Sequence, residues 1–292
     1  MASNIELIKL LRDRTGAGIM DCKNALAATG DDVDKATDWL REKGIAKQAK
    51  KADRIAAEGL VVIHTCEKCG KTSIVEINCE TDFVSKSDPF KELCDVCAKK
   101  VLTENCTTVE EALEAVKEEF TDAAVKLGEK LSFRRFEVVT KAEGQELSTY
   151  IHMGGKIGVI VVLAKEDKEL AHALAINVAA NNPKYISTAD IPADVIEAEK
   201  KLQLAASKND PKLANKPENI LVNIINGKVM KSFADSVLSE QEYLMDPTKT
   251  IGQVLKEKNN SVVKFVRYQV GEGIEKRVDN FAEEVAKQAS GN

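Results

Sequence analysis

Residues 73–84 read SIVEINCETDFV, an apolar strand-like run that ends in a carboxylate next to an aromatic ring. A helix-start signal, SDP at residues 87–89, follows shortly afterwards. Asp82 and Phe83 therefore lie at the end of a predicted strand, where side chains can project from the sheet. Two interpretations are open. Phe83 fills a pocket of another molecule while Asp82 acts on a cation or a donor, or Phe83 turns into its own core and Asp82 caps the next helix.

The composition indicates a globular protein with more than one domain. The chain has 292 residues, of which 43% are hydrophobic and 30% charged, and this length predicts two or three domains. Aromatic residues make up only 4%, so the cores must be built from small aliphatic side chains, which favours helix-rich domains. The net charge of −5 argues against a general binder of phosphate backbones, and no direct nucleic-acid contact is expected.

The sequence predicts a cytoplasmic protein without a membrane partner. Its first residues lack the basic and apolar regions of a signal peptide, and the longest apolar run, residues 157–164, is too short to span a bilayer. The chain has seven cysteines, and this odd number in a reducing compartment argues against a disulfide framework.

The beginning of the chain is predicted to form three short helices. The small-residue corner TGAG at residues 15–18 separates the first two, and Gly30 and Gly44 are expected to end the second and third. Tight connections of this kind make a compact bundle, and residues 1–46 resemble a ubiquitin-associated domain. Residues 47–58 have little apolar patterning and are interpreted as a linker.

The rest of the chain predicts an α+β core with helical additions. Residues 59–140 form one core subdomain, and residues 141–190 together with 238–273 form a second, each combining a β-hairpin with a helix. The repeated order suggests two related subdomains. Residues 191–237 are interpreted as an antiparallel helical hairpin inserted in the second subdomain, and residues 274–292 as a C-terminal helix.

No pattern in the sequence predicts an enzyme. The GKT at residues 70–72 lacks the first glycine and the following helix of a phosphate-binding loop, and the glycines of 153–158 and 271–273 do not match the dinucleotide fingerprint. None of the three histidines lies in a nucleophile or metalloprotease motif. His152, in a predicted strand before a glycine turn, has a structural hydrogen-bonding role as its simplest interpretation.

Four of the cysteines form two C-x-x-C pairs. Cys66 and Cys69 lie at a predicted hairpin tip, and Cys94 and Cys97 lie on the following helix. Four thiolates could close a tetrahedral structural zinc site, although the spacing between the pairs exceeds the usual range. A thioredoxin-like redox role is the alternative, but no thioredoxin pattern surrounds either pair.

Three segments together resemble the bacterial elongation factor Ts family. They are LRDRTGAGIMDCKNAL at residues 11–26, EINCETDFV at 76–84 and VRYQVGEGIEK at 266–276, in the order that the family has. The resemblance covers essentially the whole chain, and the predicted organisation is similar to that of the family. The two cysteine pairs depart from the family pattern, so any zinc there is expected to be structural, and the resemblance implies no other cofactor.

The resemblance implies a guanine-nucleotide exchange factor in translation, with no catalytic chemistry of its own. Its partner would be elongation factor Tu, whose bound GDP is released so that GTP can enter. The segment that binds the partner and dislocates its magnesium ion would consist of Thr81, Asp82, Phe83 and Val84. Phe83 would wedge between helices of the partner, and Asp82 and its neighbours would shift the groups that hold magnesium.

The resemblance also implies peripheral contacts with the same partner. Arg12 and Met20, beside the glycine corner, would grip its GTPase domain, and His152 would contact it from the second hairpin. Two other functions remain as alternatives from the residues alone: an RNA-associated zinc protein, against which the acidic balance counts, and a thiol-redox enzyme.

Overall fold

The computed structural model describes residues 4–208 and 218–275. The helices are α1 Asn4–Thr15, α2 Ile19–Thr29, α3 Val33–Lys50, α4 Asp82–Lys86, α5 Asp88–Thr103, α6 Val109–Ala115, α7 Lys117–Leu127, α8 Lys168–Asn181, α9 Ala193–Lys208, α10 Glu218–Ser232 and α11 Ile251–Glu257. The strands are β1 Glu58–Cys66, β2 Lys71–Cys79, β3 Ser132–Thr140, β4 Glu146–His152, β5 Ile157–Leu163, β6 Glu242–Tyr243, β7 Asp246–Thr250 and β8 Val262–Gln269. The predicted α+β fold is confirmed.

The chain divides into two compact units. The first takes in the described residues of Met1–Cys66, Thr72–Val138 and Tyr268–Asn292, and the second those of Glu67–Lys71 and Val139–Arg267. Each unit contains hydrogen-bonded strands covered by helices. The predicted domain boundaries are finer than this division and stay predictions.

The predicted three-helix segment at the start of the chain is confirmed, and its connections are tight for local reasons. Gly30 ends α2 in the left-handed conformation, with φ of +66°, as its sequence position predicts. The Asp32 side chain then caps α3, because its Oδ1 accepts hydrogen bonds from the backbone N–H of Asp34 and Lys35 at 3.1 Å each. The helices enclose a small core of their own that includes Leu11, Cys22, Leu26, Ala36 and Leu40.

Gly44 does not end α3, which continues to Lys50 and so runs into the predicted linker. The reason is a close approach between helices. A Cβ atom at position 44 would lie 2.4 Å from Cγ2 of Val125 on α7, a distance at which one side must move. Gly44 is therefore a packing position that lets α3 and α7 meet. The prediction that Gly44 ends the third helix is wrong.

The core of the first unit lies between a three-stranded sheet and the helices α5 to α7. The sheet has the order β1-β2-β3, and β2 is buried almost along its whole length. Phe90, Leu93 and Val101 of α5 pack in one cluster with the apolar side chains of β1 and β2. Val116 separates α6 from α7.

Glu76 carries a charge inside this unit, in the middle of β2. Its side chain has no exposed surface. Its Oε1 accepts from Arg134 Nη1 at 2.8 Å, from Asn78 Nδ2 at 3.2 Å and from the backbone N–H of Gly271 at 2.8 Å, and its Oε2 accepts from Arg135 Nε at 2.6 Å. The carboxylate therefore joins β2, β3 and the turn after β8.

The turn after β8 is held by more than this carboxylate. Arg135 also bonds the Glu272 carboxylate at 3.2 Å and lies 4.2 Å from the ring centroid of Tyr268. Gly271 has a φ of +71°, and a Cβ there would approach the carbonyl oxygen of Ala57 to 2.4 Å. Glycine alone tolerates both the positive φ and the close approach of the Ala57 carbonyl oxygen at this position. The GEG of residues 271–273 therefore has a structural role.

The second unit repeats the combination of a hairpin with a helix. Its sheet has the order β4-β5-β8, in which β4 and β5 are antiparallel with Tyr150 opposite Val159. Helix α8 packs on β4 and β5, and its buried face joins α11 in the core. The helices α9 and α10 pack against each other, in agreement with the predicted helical hairpin.

Some elements differ from the prediction or lie beyond the described residues. Helix α10 ends at Ser232, and the small hairpin of β6 and β7 with helix α11 was not foreseen because these elements are too short for a clear period. The predicted C-terminal helix, residues 274–292, falls mostly on residues 276–292, which lie outside the described part of the chain.

Replacing Glu76 with alanine removes the acceptor that faces both arginines. We expect the free energy of unfolding, measured by urea denaturation, to fall by about 3–5 kcal/mol, since charges left unpaired by a buried partner are costly. The matched control is Glu272→Ala, because this carboxylate also pairs with Arg135 but its side chain is 41% exposed. Its loss should cost less than about 1 kcal/mol. Equal losses for both variants would contradict this ranking.

Candidate functional site

The strand β2 leads directly into a short helix that carries the predicted partner-binding residues. Thr81 follows the strand end in an extended conformation, with φ of −125° and ψ of 157°, and its hydroxyl accepts a hydrogen bond from the backbone N–H of Val84 at 3.4 Å. Helix α4 therefore begins at Asp82. The Cys79 thiol, itself buried, donates to the Thr81 carbonyl oxygen at 3.2 Å and helps to fix the corner.

Phe83 and Val84, neighbours on α4, differ sharply in their surroundings. The Phe83 side chain is 82% exposed, whereas Val84 packs against the core of the first unit and Ser85 is buried. The interpretation in which Phe83 turns into its own core is therefore wrong. Burying a phenylalanine side chain stabilises a structure by about 1.5–3 kcal/mol, and the exposed Phe83 can gain this free energy by entering a pocket of a binding partner.

Asp82 lies in the first turn of α4 rather than at a helix cap. Its Oδ2 accepts from Lys86 Nζ at 2.6 Å, and the two side chains are 48% and 71% exposed. A solvated pair of this kind contributes at most about 1 kcal/mol, so Lys86 can be exchanged for another cationic group or donor at little cost. The alternative in which Asp82 caps the next helix is also wrong, since Ser87 occupies the N-cap of α5.

Glu129 is a residue of this site that the sequence did not predict. Its Oε2 accepts from the backbone N–H of Glu80 and of Thr81, at 3.0 Å each, and its Oε1 accepts from the Thr81 hydroxyl at 2.6 Å. Glu129 comes just after α7 and is 48 positions from Thr81 in the chain. No local pattern marks such a residue, because its contacts arise only when the two segments fold together.

Arg12 and Met20 lie on α1 and α2, on either side of the predicted glycine corner. Both are at the surface, and the Met20 side chain is 64% exposed beside Ile19, which is 55% exposed. The corner itself is fixed locally: Thr15 Oγ1 donates to the Leu11 carbonyl oxygen at 2.7 Å and accepts from the Ala17 N–H at 3.3 Å. These exposed side chains therefore stand on a well-defined turn.

His152 belongs to the second unit, at the end of β4. Its ring is exposed and stacks on Tyr150 at a centroid distance of 5.8 Å, with 3.1 Å between the Tyr150 hydroxyl and His152 Nδ1. Its neighbours Ile151 and Met153 are 42% and 70% exposed. His152 is thus not a buried polar residue satisfied by the core, and the hairpin tip presents two apolar side chains beside it.

The four cysteines of the predicted zinc site differ in their surroundings, and the zinc site stays a prediction. Within the described residues, no cluster of three or more His, Cys, Asp and Glu side chains could hold a metal ion. Cys94 and Cys97 are buried in the apolar core under β2, whereas Cys69 is exposed at the hairpin tip and Cys66 is half-buried. Helix α5 does run back along the sheet, since Ser73 Oγ bonds the Ala98 carbonyl oxygen at 2.7 Å.

Burial also determines the reactivity of the second cysteine pair. Desolvation raises the pKa of Cys97 to about 12 and raises the pKa of Cys94 well above its ordinary value. Both thiols therefore stay protonated near neutral pH, and a protonated thiol is a poor nucleophile. This environment is typical of packing cysteines rather than of a redox pair.

We expect metal analysis of the purified protein to find less than one zinc ion per chain, because two of the four thiols are enclosed by apolar side chains. Mass spectrometry of metals measures the content directly. Cys66→Ser should leave both the metal content and the thermal midpoint unchanged. One zinc per chain that is lost in Cys66→Ser would show instead that the cysteine pairs form the predicted site.

Comparison with known protein families gives a match that includes this site. The sequence model of the family "Elongation factor TS" matches residues 80–272, about two thirds of the chain, and the match begins at the strand end that carries α4. This family consists of nucleotide exchange factors of translation elongation. Among the helices of the described residues, none combines the length and the hydropathy of a membrane-spanning segment. On the extent of this match, the chain belongs to the elongation factor Ts family.

Proposed function

We propose that this protein binds elongation factor Tu in its GDP-bound form and accelerates the release of GDP, so that GTP can bind in its place. The observation that carries the proposal is the exposed Phe83 on a short helix whose start is fixed by hydrogen bonds. Membership of the family supports the general role. The exposure of Phe83 on α4 supports its choice as the proposed contact.

Phe83 is proposed as the anchor of the interface. A large aromatic side chain that enters a pocket and loses its water typically contributes most of the energy of a protein contact. Because Val84 and Ser85 hold the other side of α4 in the core, the ring can push against a partner without the helix yielding. A rigid apolar wedge of this kind can separate helices that pack together in the partner.

Asp82 is proposed to act on the magnesium site of the partner. Its carboxylate lies next to the wedge and pairs with the exposed Lys86, and a solvated ion pair of this kind can be exchanged on docking at little cost. Magnesium neutralises the phosphates of bound GDP, and disturbing the groups that hold the ion weakens nucleotide binding. The coupling is reciprocal, because the exchange factor and the nucleotide weaken each other's binding by the same factor.

Arg12, Met20 and His152 are proposed as additional contacts with the same partner. All three lie at the surface, and Met20 belongs to an exposed apolar pair with Ile19. In this proposal the protein needs no catalytic group of its own, since the reaction is an exchange of ligands on the partner. Phe83 remains the residue whose loss should matter most.

Neither alternative function is favoured by an observation. An RNA-associated zinc protein would need a metal cluster and a basic surface, whereas the described cysteines form no such cluster and the net charge is −5. A thiol-redox enzyme would need an activated thiol, whereas burial raises the pKa of Cys97 to about 12.

The proposal is tested by the release of fluorescent GDP from purified elongation factor Tu, followed by stopped-flow fluorescence. The wild-type protein should accelerate release, and Phe83→Ala should lower kcat/KM by about 30-fold, the loss typical of an interface anchor. Its thermal midpoint should stay unchanged, because the ring makes little contact with its own core.

The matched control is Phe133→Leu, which alters a buried aromatic side chain of the same unit. We expect it to lower the thermal midpoint while exchange by the folded protein is retained. No acceleration of GDP release by the wild-type protein would exclude the proposed function. A fully active Phe83→Ala would exclude only the wedge.

A further inference from the structure

Two segments of the first unit hold each other by crossed hydrogen bonds beside α4. The Glu129 carboxylate accepts from the backbone N–H of Glu80 and Thr81, and the Glu80 carboxylate accepts from the backbone N–H of Lys130 at 2.6 Å. Glu80 also pairs with Arg54 at 3.2 Å. We call Glu80, Thr81, Glu129 and Lys130 the crossed clamp. Hydrogen bonds to a charged acceptor are stronger than those between neutral groups.

Glu129 determines in which direction the Thr81 hydroxyl donates its hydrogen bond. This hydroxyl has one proton, which it donates to Glu129 Oε1 at 2.6 Å, and its lone pair then accepts from the Val84 N–H at 3.4 Å. The second of these bonds caps α4. The carboxylate of Glu129 therefore orients the cap that starts the helix on which Phe83 stands.

Helix α4 depends on this cap because it is short. It has five residues, fewer than a helix needs to be stable from its own backbone hydrogen bonds. Its inward side chains, Val84 and Ser85, attach one face to the core, but the exposed Phe83 adds little stabilisation of its own. The direction in which Phe83 points is thus fixed by this packed face together with the N-terminal end, where the crossed clamp lies.

We propose that Glu129 is a positioning residue for Phe83. Its contacts with Glu80 and Thr81 hold the start of α4 in place before a partner is bound, so that little conformational entropy is lost on docking. This inference deepens the proposed function and rests on it, because it concerns the residue that would enter the partner. Glu129 acts through Thr81 and need not touch the partner at all.

The test is a double-mutant cycle in the full-length protein, with Glu129→Ala, Phe83→Ala and the combined variant. The readout is kcat/KM for release of fluorescent GDP from elongation factor Tu. We expect Glu129→Ala to lower it by about tenfold, the effect of losing a hydrogen bond to a charged group. In the Phe83→Ala background the same change should have almost no effect, since the side chain that Glu129 positions is gone.

A second readout reports on α4 without any partner. Backbone hydrogen exchange, followed by NMR, should become at least about tenfold faster at Thr81 and Val84 in Glu129→Ala, while the amide of Ile77 in β2 should be unaffected. Glu118→Ala is the matched control, an exposed glutamate of α7 away from the clamp, and should change neither readout. If Glu129→Ala does not fold, Glu129→Gln takes its place in both measurements, because glutamine keeps the size of the side chain and removes its charge.

The outcomes separate this inference from the proposed function. Additive losses in the cycle, or unchanged exchange at Thr81 and Val84, would overturn the positioning role even if the wild-type protein accelerates GDP release. If the wild-type protein does not accelerate release, the proposed function fails, and the partner-independent exchange at Thr81 and Val84 alone shows whether Glu129 orders α4.

Discussion

The first unit depends on a carboxylate buried where water cannot reach it. Glu76 has no exposed surface, and its two oxygens accept from Arg134, Arg135, Asn78 and the backbone of Gly271. Removing a charge from water is expensive, and only such complete hydrogen bonding makes the arrangement tolerable. Because these donors come from three parts of the chain, the carboxylate fixes the register of β2 with β3 and attaches the turn after β8.

The fixed strand gives the candidate site a rigid base. Strand β2 is buried almost throughout and ends at Cys79, two residues before the cap of α4. The backbone that carries the exposed Phe83 is held by Glu76 within the strand and by Glu129 at the strand end. The same packing of α4 buries Ser85, places Val84 against the core and leaves Phe83 exposed.

Short-range patterns predicted much of this fold, because the forces behind them act over a few residues. The strand that leads to Thr81 and the end of α2 at Gly30 follow from local apolar runs and from the left-handed conformation that glycine tolerates. Gly44 shows the limit: the local pattern predicts a helix end, whereas Val125 of a distant helix makes glycine necessary there. Glu129 shows it again, since its carboxylate meets Thr81 only in the folded chain.

The site combines strongly held backbone with weakly held side chains, and this division suits an exchange factor. The amides of Glu80 and Thr81 bond a carboxylate at 3.0 Å, so the start of α4 has little freedom. Asp82 is paired with an exposed lysine, and Phe83 lies largely in water, so both can form new contacts without breaking the fold. An exchange factor must bind a partner and later leave it. A fixed backbone lowers the entropy lost on docking, and side chains that are weakly engaged within the fold can contact a partner at little cost.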